Sequence, residues 1–306
     1  MKRAFLFPGQ GAQYVGMGRD FFDSFLVARE TFQEADDLLG QHLSRLIFEG
    51  PEELLTQTSQ AQLAIFVTSM AILRTVEEQL PRLIPSASAG LSLGEYTALC
   101  ASHRLDFSST LLLVRERARL MNEACEATSG AMAAVLGLSA QGVEEALKGM
   151  EGVWIANYNA PGQTVISGTE KGVERATLAL KERGAKRVLP LTVHGAFHSP
   201  LMRSAEIGLA PFVEPLSIAP SEIGFVMNVT GEFASSEGEI KRNLIDQVTQ
   251  SVRWEQGIQA LKGAGIDLFL EIGCGKTLTG LSKKMGILAC SAIEKVADLE
   301  CVHAAS

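Results

Sequence analysis

Residues 90–96 read GLSLGEY, with Ser92 two positions from a glycine on either side. This G-x-S-x-G spacing is that of a nucleophile elbow, a tight strand-to-helix turn that presents a serine Oγ while backbone passes close by at the glycines. Short motifs recur by chance, so a glycine-rich turn with a surface serine is the competing reading. A nucleophilic serine needs a base and an oxyanion hole. Among the five histidines, His42 and His103 fall in helical or helix-end contexts and His303 close to the C-terminal end. His194 and His198 lie in VHGAFHSPLM, a Gly/Pro-punctuated loop after a strand, where functional side chains are often presented. Either is a base or a solvated loop histidine. A triad built on such an elbow places its acid between the serine and the histidine. Asp106, Glu116 and Glu123 are available there, none in a distinctive strand-end setting, so spacing supports no triad.

Arg117 carries a second signal. At about 100° per residue along 110–124, Leu111, Val114, Ala118 and Met121 group on one face with Leu113, Leu120 and Ala124. Arg117 falls in the middle of that apolar arc, whereas Arg115 and Arg119 point away. A buried guanidinium must find an anion, because an unpaired buried charge is too costly. The anion is either a carboxylate of the chain, making a structural ion pair, or that of a ligand, held by the bidentate fork an ammonium lacks.

These side chains need a frame to hold them. The run at 4–7 (AFLF) predicts a short strand ending at the loop PGQGAQ, and helices follow around 27–39 and 61–76. The strand leading into the elbow, SASAG, is built of small residues and is weak by pattern alone. A clear helix spans 110–124. From there strand (GAMAAVLGL), helix, two strands around a turn (VWIANYNAPGQTVISGT), helix and strand (KRVLPLTV) give a β-α-β-β-α-β order, the ferredoxin-like unit. We read 125–194 as this inserted subdomain and 1–124 with 195–306 as the α/β core. IGFVMNV and IDLFLEIG resume the core strands, and residues after about 292 read as a loose tail.

Composition narrows the function classes. The net charge of −8 argues against nucleic acid, and any acidic partner must dock on a local basic patch, for which Lys283 and Lys284 with Lys186 and Arg187 are the candidates. No run approaches a membrane span, and the N-terminal apolar stretch is too short for a signal segment. The five scattered cysteines have no metal-ligand spacing and fit reduced thiols in the cytoplasm. Two motifs are decoys. GQGAQY puts Tyr14 at the third glycine position of a dinucleotide fingerprint, and GCGKT at 273–277 has Leu270 where a P-loop needs glycine. A helix starting after Gly275 remains a possible anion site on pattern.

FPGQGAQ, GLSLGEY, Arg117 in LVRERARLM, NAPGQTVISG, GAFHSPLM, VRW and EIGCGKTLTGL together resemble the malonyl-CoA:acyl carrier protein transacylases over nearly the whole chain. The resemblance implies a hydrolase-like α/β core with a parallel sheet and a ferredoxin-like insert, which agrees with the pattern reading. It implies Ser92 as nucleophile, His198 as base, and the backbone N–H groups of Gln10 and Leu93 as the oxyanion hole. Arg117 then clamps the malonyl carboxylate, a main-chain carbonyl at Gln247 orients the histidine in place of an acid, Gln62 lines the site, and Phe197 closes the pocket around the acyl α-carbon. The substrates implied are malonyl-CoA and the phosphopantetheine thiol of acyl carrier protein, in fatty acid biosynthesis, with no bound cofactor and no metal. Leu91 departs from the family's usual histidine, and Leu63 and Cys274 from its usual prolines. The alternatives are a trans-acting polyketide-pathway acyltransferase, a hydrolase sharing the same groups, and an idle CoA- or carrier-binding module resting on the Leu91 departure.

Overall fold

Ala4, Leu6, Phe5 and Phe7 are all buried, as they must be in a strand covered on both faces. A computed structural model of the chain describes residues 1–193 and 195–303. In chain order the strands are β1 (Arg3–Phe7), β2 (Ala87–Gly90), β3 (Gly130–Leu136), β4 (Val153–Ala160), β5 (Gln163–Thr169), β6 (Arg187–Pro190), β7 (Gly224–Val226), β8 (Leu268–Ile272) and β9 (Cys290–Ile293). A parallel sheet runs β7-β2-β1-β8-β9, and a separate antiparallel sheet runs β4-β5-β3-β6.

The alternation along β1 divides the core. Phe5 and Phe7 join the cluster with Phe66, Leu99, Leu111 and Val114, while Ala4 and Leu6 join Val226, Trp254, Leu261 and Phe269 on the opposite face. The helix Thr58–Gln79 is buried nearly all round between its neighbours, so its pattern is apolar without a clean polar face. In β2 the small residues have a reason. All four are buried, Ser88 Oγ donates to the Ala98 carbonyl at 3.1 Å, and the helix Leu93–Ala101 lies directly against the strand. Phe7 and Gly90 are paired in register, so the loop after β1 and the elbow after β2 leave the sheet side by side.

The helices Ala140–Leu147 and Glu170–Glu182 complete the β-α-β-β-α-β unit, which has its own cluster of Val135, Val143, Ile166, Leu180 and Val188. Its edge strand is joined to the core. The N–H of Val252 donates to the Ala156 carbonyl and the N–H of Tyr158 to the Val252 carbonyl, both at 2.8 Å.

The helix starting at Phe107 continues to Ala127, with Cys125 still buried on its apolar face. One expectation is corrected. The stretch after 292 is not a loose tail. β9 pairs with β8 up to Ile272↔Ile293, and the helix Val296–His303 follows, anchored where the Val296 N–H donates to Asp20 at 2.9 Å. The partner of that helix lies at the opposite end of the chain, out of reach of any local pattern. No helix among the described residues is long and apolar enough to cross a membrane.

Candidate active site

Ser92 sits between β2 and the helix Leu93–Ala101 with φ 55° and ψ −107°, a left-handed backbone that costs a non-glycine residue of order 1–3 kcal/mol. The flanking glycines are obligatory for space. A Cβ on Gly90 would lie 1.9 Å from the Gly94 carbonyl group, and one on Gly94 would lie 2.1 Å from the Phe7 oxygen. The strained turn is held by its own polar groups. The Ser92 N–H donates to Asn228 Oδ1 at 2.6 Å, and Gln247 Nε2 donates to the Ser92 carbonyl at 3.0 Å. Although Ser92 occupies the N-cap, its hydroxyl does not cap the helix. Oγ lies 2.8 Å from His198 Nε2 and accepts from Arg117 Nη2 at 3.1 Å.

His198 also has a left-handed φ, 56°, and is 4% exposed. Its Nδ1 lies 2.7 Å from the main-chain oxygen of Gln247. A carbonyl only accepts, so Nδ1 carries the proton and the Nε2 lone pair faces the Ser92 hydroxyl. Burial, and after it the charge of Arg117, push the imidazole pKa down to about 4. It is therefore a neutral base across the physiological range. The acids between Ser92 and His198 serve elsewhere. Asp106 caps its helix by accepting from the Ser109 N–H, and Glu116 and Glu123 both pair with Arg119 on the outer helix face. His194, the other loop candidate, lies outside the described residues.

Arg117 is 1% exposed. Nη1 donates to Gln62 Oε1 at 2.5 Å, Nη2 donates to Gln247 Oε1 at 2.7 Å, and the guanidinium lies 5.1 Å from the Tyr96 ring centroid. Among the described residues no carboxylate lies within 4 Å of it, so it is not a structural ion pair. Its Nε, also buried, has no acceptor. Burial lowers its pKa, but a guanidinium stays charged. The result is a buried cation held by neutral amides beside the serine, a place for a small carboxylate to enter.

The loop after β1 meets the elbow closely enough that a Cβ on Gly9 would lie 2.3 Å from the Leu91 oxygen. The N–H groups of Gln10 and Leu93 have no acceptor among the described residues. Both therefore remain available for an oxyanion at Ser92. Beside His198 lies a cavity of about 230 Å³, lined by Trp154 and Ile155 of β4 and by Val229, Thr249, Ser251 and Arg253. Phe197 is buried in the main core cluster and is not part of that lining. Leu91 packs against the cluster on the other sheet face, and Leu63 and Cys274 are buried in the main cluster. The GCGKT segment holds no anion site. Glu271 already accepts from the N–H groups of Leu278 and Thr279, at 3.0 and 2.7 Å, and closes that helix end.

Two polar residues of the site went unassigned in the sequence, Asn228 and Glu95. Asn228 could have been found as a polar residue two positions past a short buried strand. Glu95 is visible in GLSLGEY, but nothing local says that its side chain turns inward.

Residues 4–284 match the acyl transferase domain, which defines the class. The chain is 44% identical to the malonyl CoA-acyl carrier protein transacylase of Bacillus subtilis (strain 168), covering 93% of this chain and 90% of that protein. The MCAT structure from Streptococcus pneumoniae superposes with a TM-score of 0.94 at 41% identity over 100% of both chains. A malonyl-transacylase solved in complex with a type II polyketide synthase acyl carrier protein gives 0.96 at 38% identity, again over 100% of both. The chain belongs to the malonyl CoA-acyl carrier protein transacylase family.

Proposed function

We propose that this chain transfers a malonyl group from malonyl-CoA to the phosphopantetheine thiol of acyl carrier protein by way of a malonyl-serine ester. The observation that carries the reading is the Ser92 hydroxyl placed between a neutral imidazole at 2.8 Å and, at 3.1 Å, a buried guanidinium with no ion-pair partner among the described residues. In the first half-reaction Ser92 gives its proton to His198 Nε2 and Oγ attacks the thioester carbonyl. The N–H groups of Gln10 and Leu93 receive the oxyanion while Arg117, framed by Gln62 and Gln247, holds the malonyl carboxylate. Collapse breaks the C–S bond, and the departing thiolate takes the proton from His198. In the second half-reaction the carrier thiol gives its proton to His198, sulfur attacks the ester, and Oγ leaves reprotonated. Water must be kept from the ester, since hydrolysis uses the same groups.

The unit spanning 125–194 acts as a subdomain that roofs the cleft above a core of 1–124 and 195–306. Acidic carrier protein docks on Lys186, Arg187, Lys283 and Lys284. Support comes from their gathering near one end of the antiparallel sheet. Arg187 pairs with Leu136, the Lys186 stem lies over Gly137, and Lys284 Nζ donates to Gln163 at 2.5 Å. The pathway of this reading is fatty acid biosynthesis, with a trans-acting polyketide role as the alternative. Free Cys100, Cys125, Cys274 and Cys290 support a reducing, cytoplasmic setting. Intact-protein mass spectrometry after incubation with malonyl-CoA tests the reading. One malonyl mass added at Ser92, discharged by holo carrier protein but stable in water, is the expected result. An unlabelled protein would point to a binding module, and rapid discharge in water to a hydrolase.

A further inference from the structure

Glu95 is fully buried on the helix Leu93–Ala101, and the transfer mechanism gives it no task. One carboxylate oxygen, Oε1, accepts from the Asn228 backbone N–H at 2.6 Å, and the other, Oε2, accepts from Gln247 Nε2. These two partners control the rest of the site. The side chain of Asn228 accepts from the Ser92 N–H at 2.6 Å and donates to the Gly90 carbonyl at 2.7 Å, so it fixes the elbow. Gln247 accepts from Arg117 at its side-chain oxygen, donates to the Ser92 carbonyl, and receives His198 Nδ1 at its main-chain oxygen.

From this geometry we infer that Glu95 is a positioning residue of the transfer reaction, whose ionised carboxylate fixes Asn228 and Gln247 and through them Ser92, His198 and Arg117. The inference rests on the reading of Ser92 as nucleophile. Donor and acceptor logic favours the ionised form. A backbone N–H at Asn228 cannot reverse, and Arg117, which only donates, obliges Gln247 to turn its oxygen toward the guanidinium. The Gln247 amide nitrogen then faces Glu95, so both carboxylate oxygens must accept. A protonated carboxyl keeps one full acceptor, but its other oxygen accepts only weakly and its O–H must turn away from the donor there.

The group is poised to lose that state. Burial pushes its pKa up to about 8, opposed by the bonds from Asn228 and Gln247 and by the charge of Arg117. The titratable or charged groups of the surrounding elements are Arg117 from the helix Phe107–Ala127, Tyr96 on its own helix, and His198 beyond Gln247. Arg117 stays charged, and Tyr96 is pushed up to about 12, while His198 is held down to about 4. As pH falls, Glu95 therefore takes a proton before His198 does, and the positioning contacts fail while the base is still neutral.

Glu95→Gln is the informative variant. Its oxygen can satisfy the Asn228 N–H, but its NH2 then meets the Gln247 NH2 and forces that amide to flip against Arg117. Single-turnover acylation of Ser92 by malonyl-CoA, followed by intact mass across the pH range, is the measurement. The expected result is acylation about 10- to 100-fold slower at saturating substrate with little change in KM. The wild-type fall in rate on the acid side, well above the range in which His198 titrates, is absent from Glu95→Gln and retained in Glu95→Asp. A Glu95→Gln enzyme acylating at the wild-type rate, or slowed with an unchanged pH profile, would overturn the inference. Where the variant does not fold, the wild-type profile decides, since a single acid limb near 4 leaves Glu95 no role. Absence of Ser92 labelling in wild type at every pH would instead defeat the reading of the nucleophile.

Discussion

Of the helices among the described residues that begin at a hydroxyl residue, three show how differently it can be used. In the subdomain, Ser139 and Thr169 have extended backbones and accept from the N–H groups of Gly142 and Gly172, at 3.1 and 3.0 Å. Both are ordinary N-caps, each contributing about 1 kcal/mol to its helix. In the core, Ser92 has a left-handed backbone and caps nothing, its hydroxyl pointing to His198 and Arg117. The subdomain thus spends its local polar groups on stability. The elbow gives up a cap, leaves the Leu93 N–H unfilled, and holds the strained turn by distant side chains instead. A serine that declines to cap its helix is one whose oxygen is needed elsewhere.

The sharpest way to break this contrast is a pair of substitutions. Ser92→Ala is expected to abolish labelling by malonyl-CoA while leaving the melting temperature close to wild type, since no cap is lost. Thr169→Ala is expected to do the reverse, losing about 1 kcal/mol of stability with transfer unchanged. Denaturant melts beside mass spectrometry decide, and a Ser92→Ala protein as destabilised as Thr169→Ala would remove the distinction.

Next in size is Arg117→Ala. Truncating one partner of a buried charged pair costs about 2–5 kcal/mol, so malonyl kcat/KM should fall by roughly 30- to 3,000-fold. Acetyl transfer, with no carboxylate to strand, is expected to persist. Side-by-side kinetics that show equal losses would turn the clamp into a structural residue.

The elbow region also predicts a pH signature. His198 titrates near 4 when folded against a usual 6.5, so the unfolded chain binds its proton first as pH falls. Its contribution to stability is present above 6.5 and is lost progressively between 6.5 and about 4, on the order of 3 kcal/mol in all. His198→Ala should flatten that part of the stability curve, measured by urea melts at successive pH values. An unchanged slope would mean the imidazole is not held neutral by burial.

Smaller effects test the rim. Phe197→Ser is expected to admit methylmalonyl-CoA by about 1–3 kcal/mol in relative specificity, if this side chain walls the α-carbon. Because Phe197 packs in the core, stability should fall too. Lost stability with an unchanged malonyl/methylmalonyl ratio would assign Phe197 to packing alone. Reversing Lys283 and Lys284 to Glu should slow transfer to carrier protein and blunt its salt dependence, with acylation by malonyl-CoA affected less. Equal losses in both half-reactions would remove the docking role.

Much of this was legible in the sequence because it is local. Gly90 and Gly94 announce a turn that only glycine can make, and the position of Arg117 on its helix says that it is buried. The β-α-β-β-α-β order of the subdomain follows from the succession of strand-like and helix-like stretches. The chain's end was misread because β9 and the final helix are short and owe their order to β8 and Asp20, which no local pattern contains.

Tertiary structure decided what those residues do. The carbonyl that orients His198 belongs to Gln247, and the amides that hold Ser92 come from Gln247 and Asn228, 155 and 136 residues away. Glu95 lies three residues from Ser92, yet its partners are 133 and 152 residues distant. Local sequence determines backbone geometry and which face is apolar, because sterics and periodicity act over a few residues. Proton position, amide orientation and the neutral amides that hold Arg117 depend on groups that only the folded chain brings within hydrogen-bond distance.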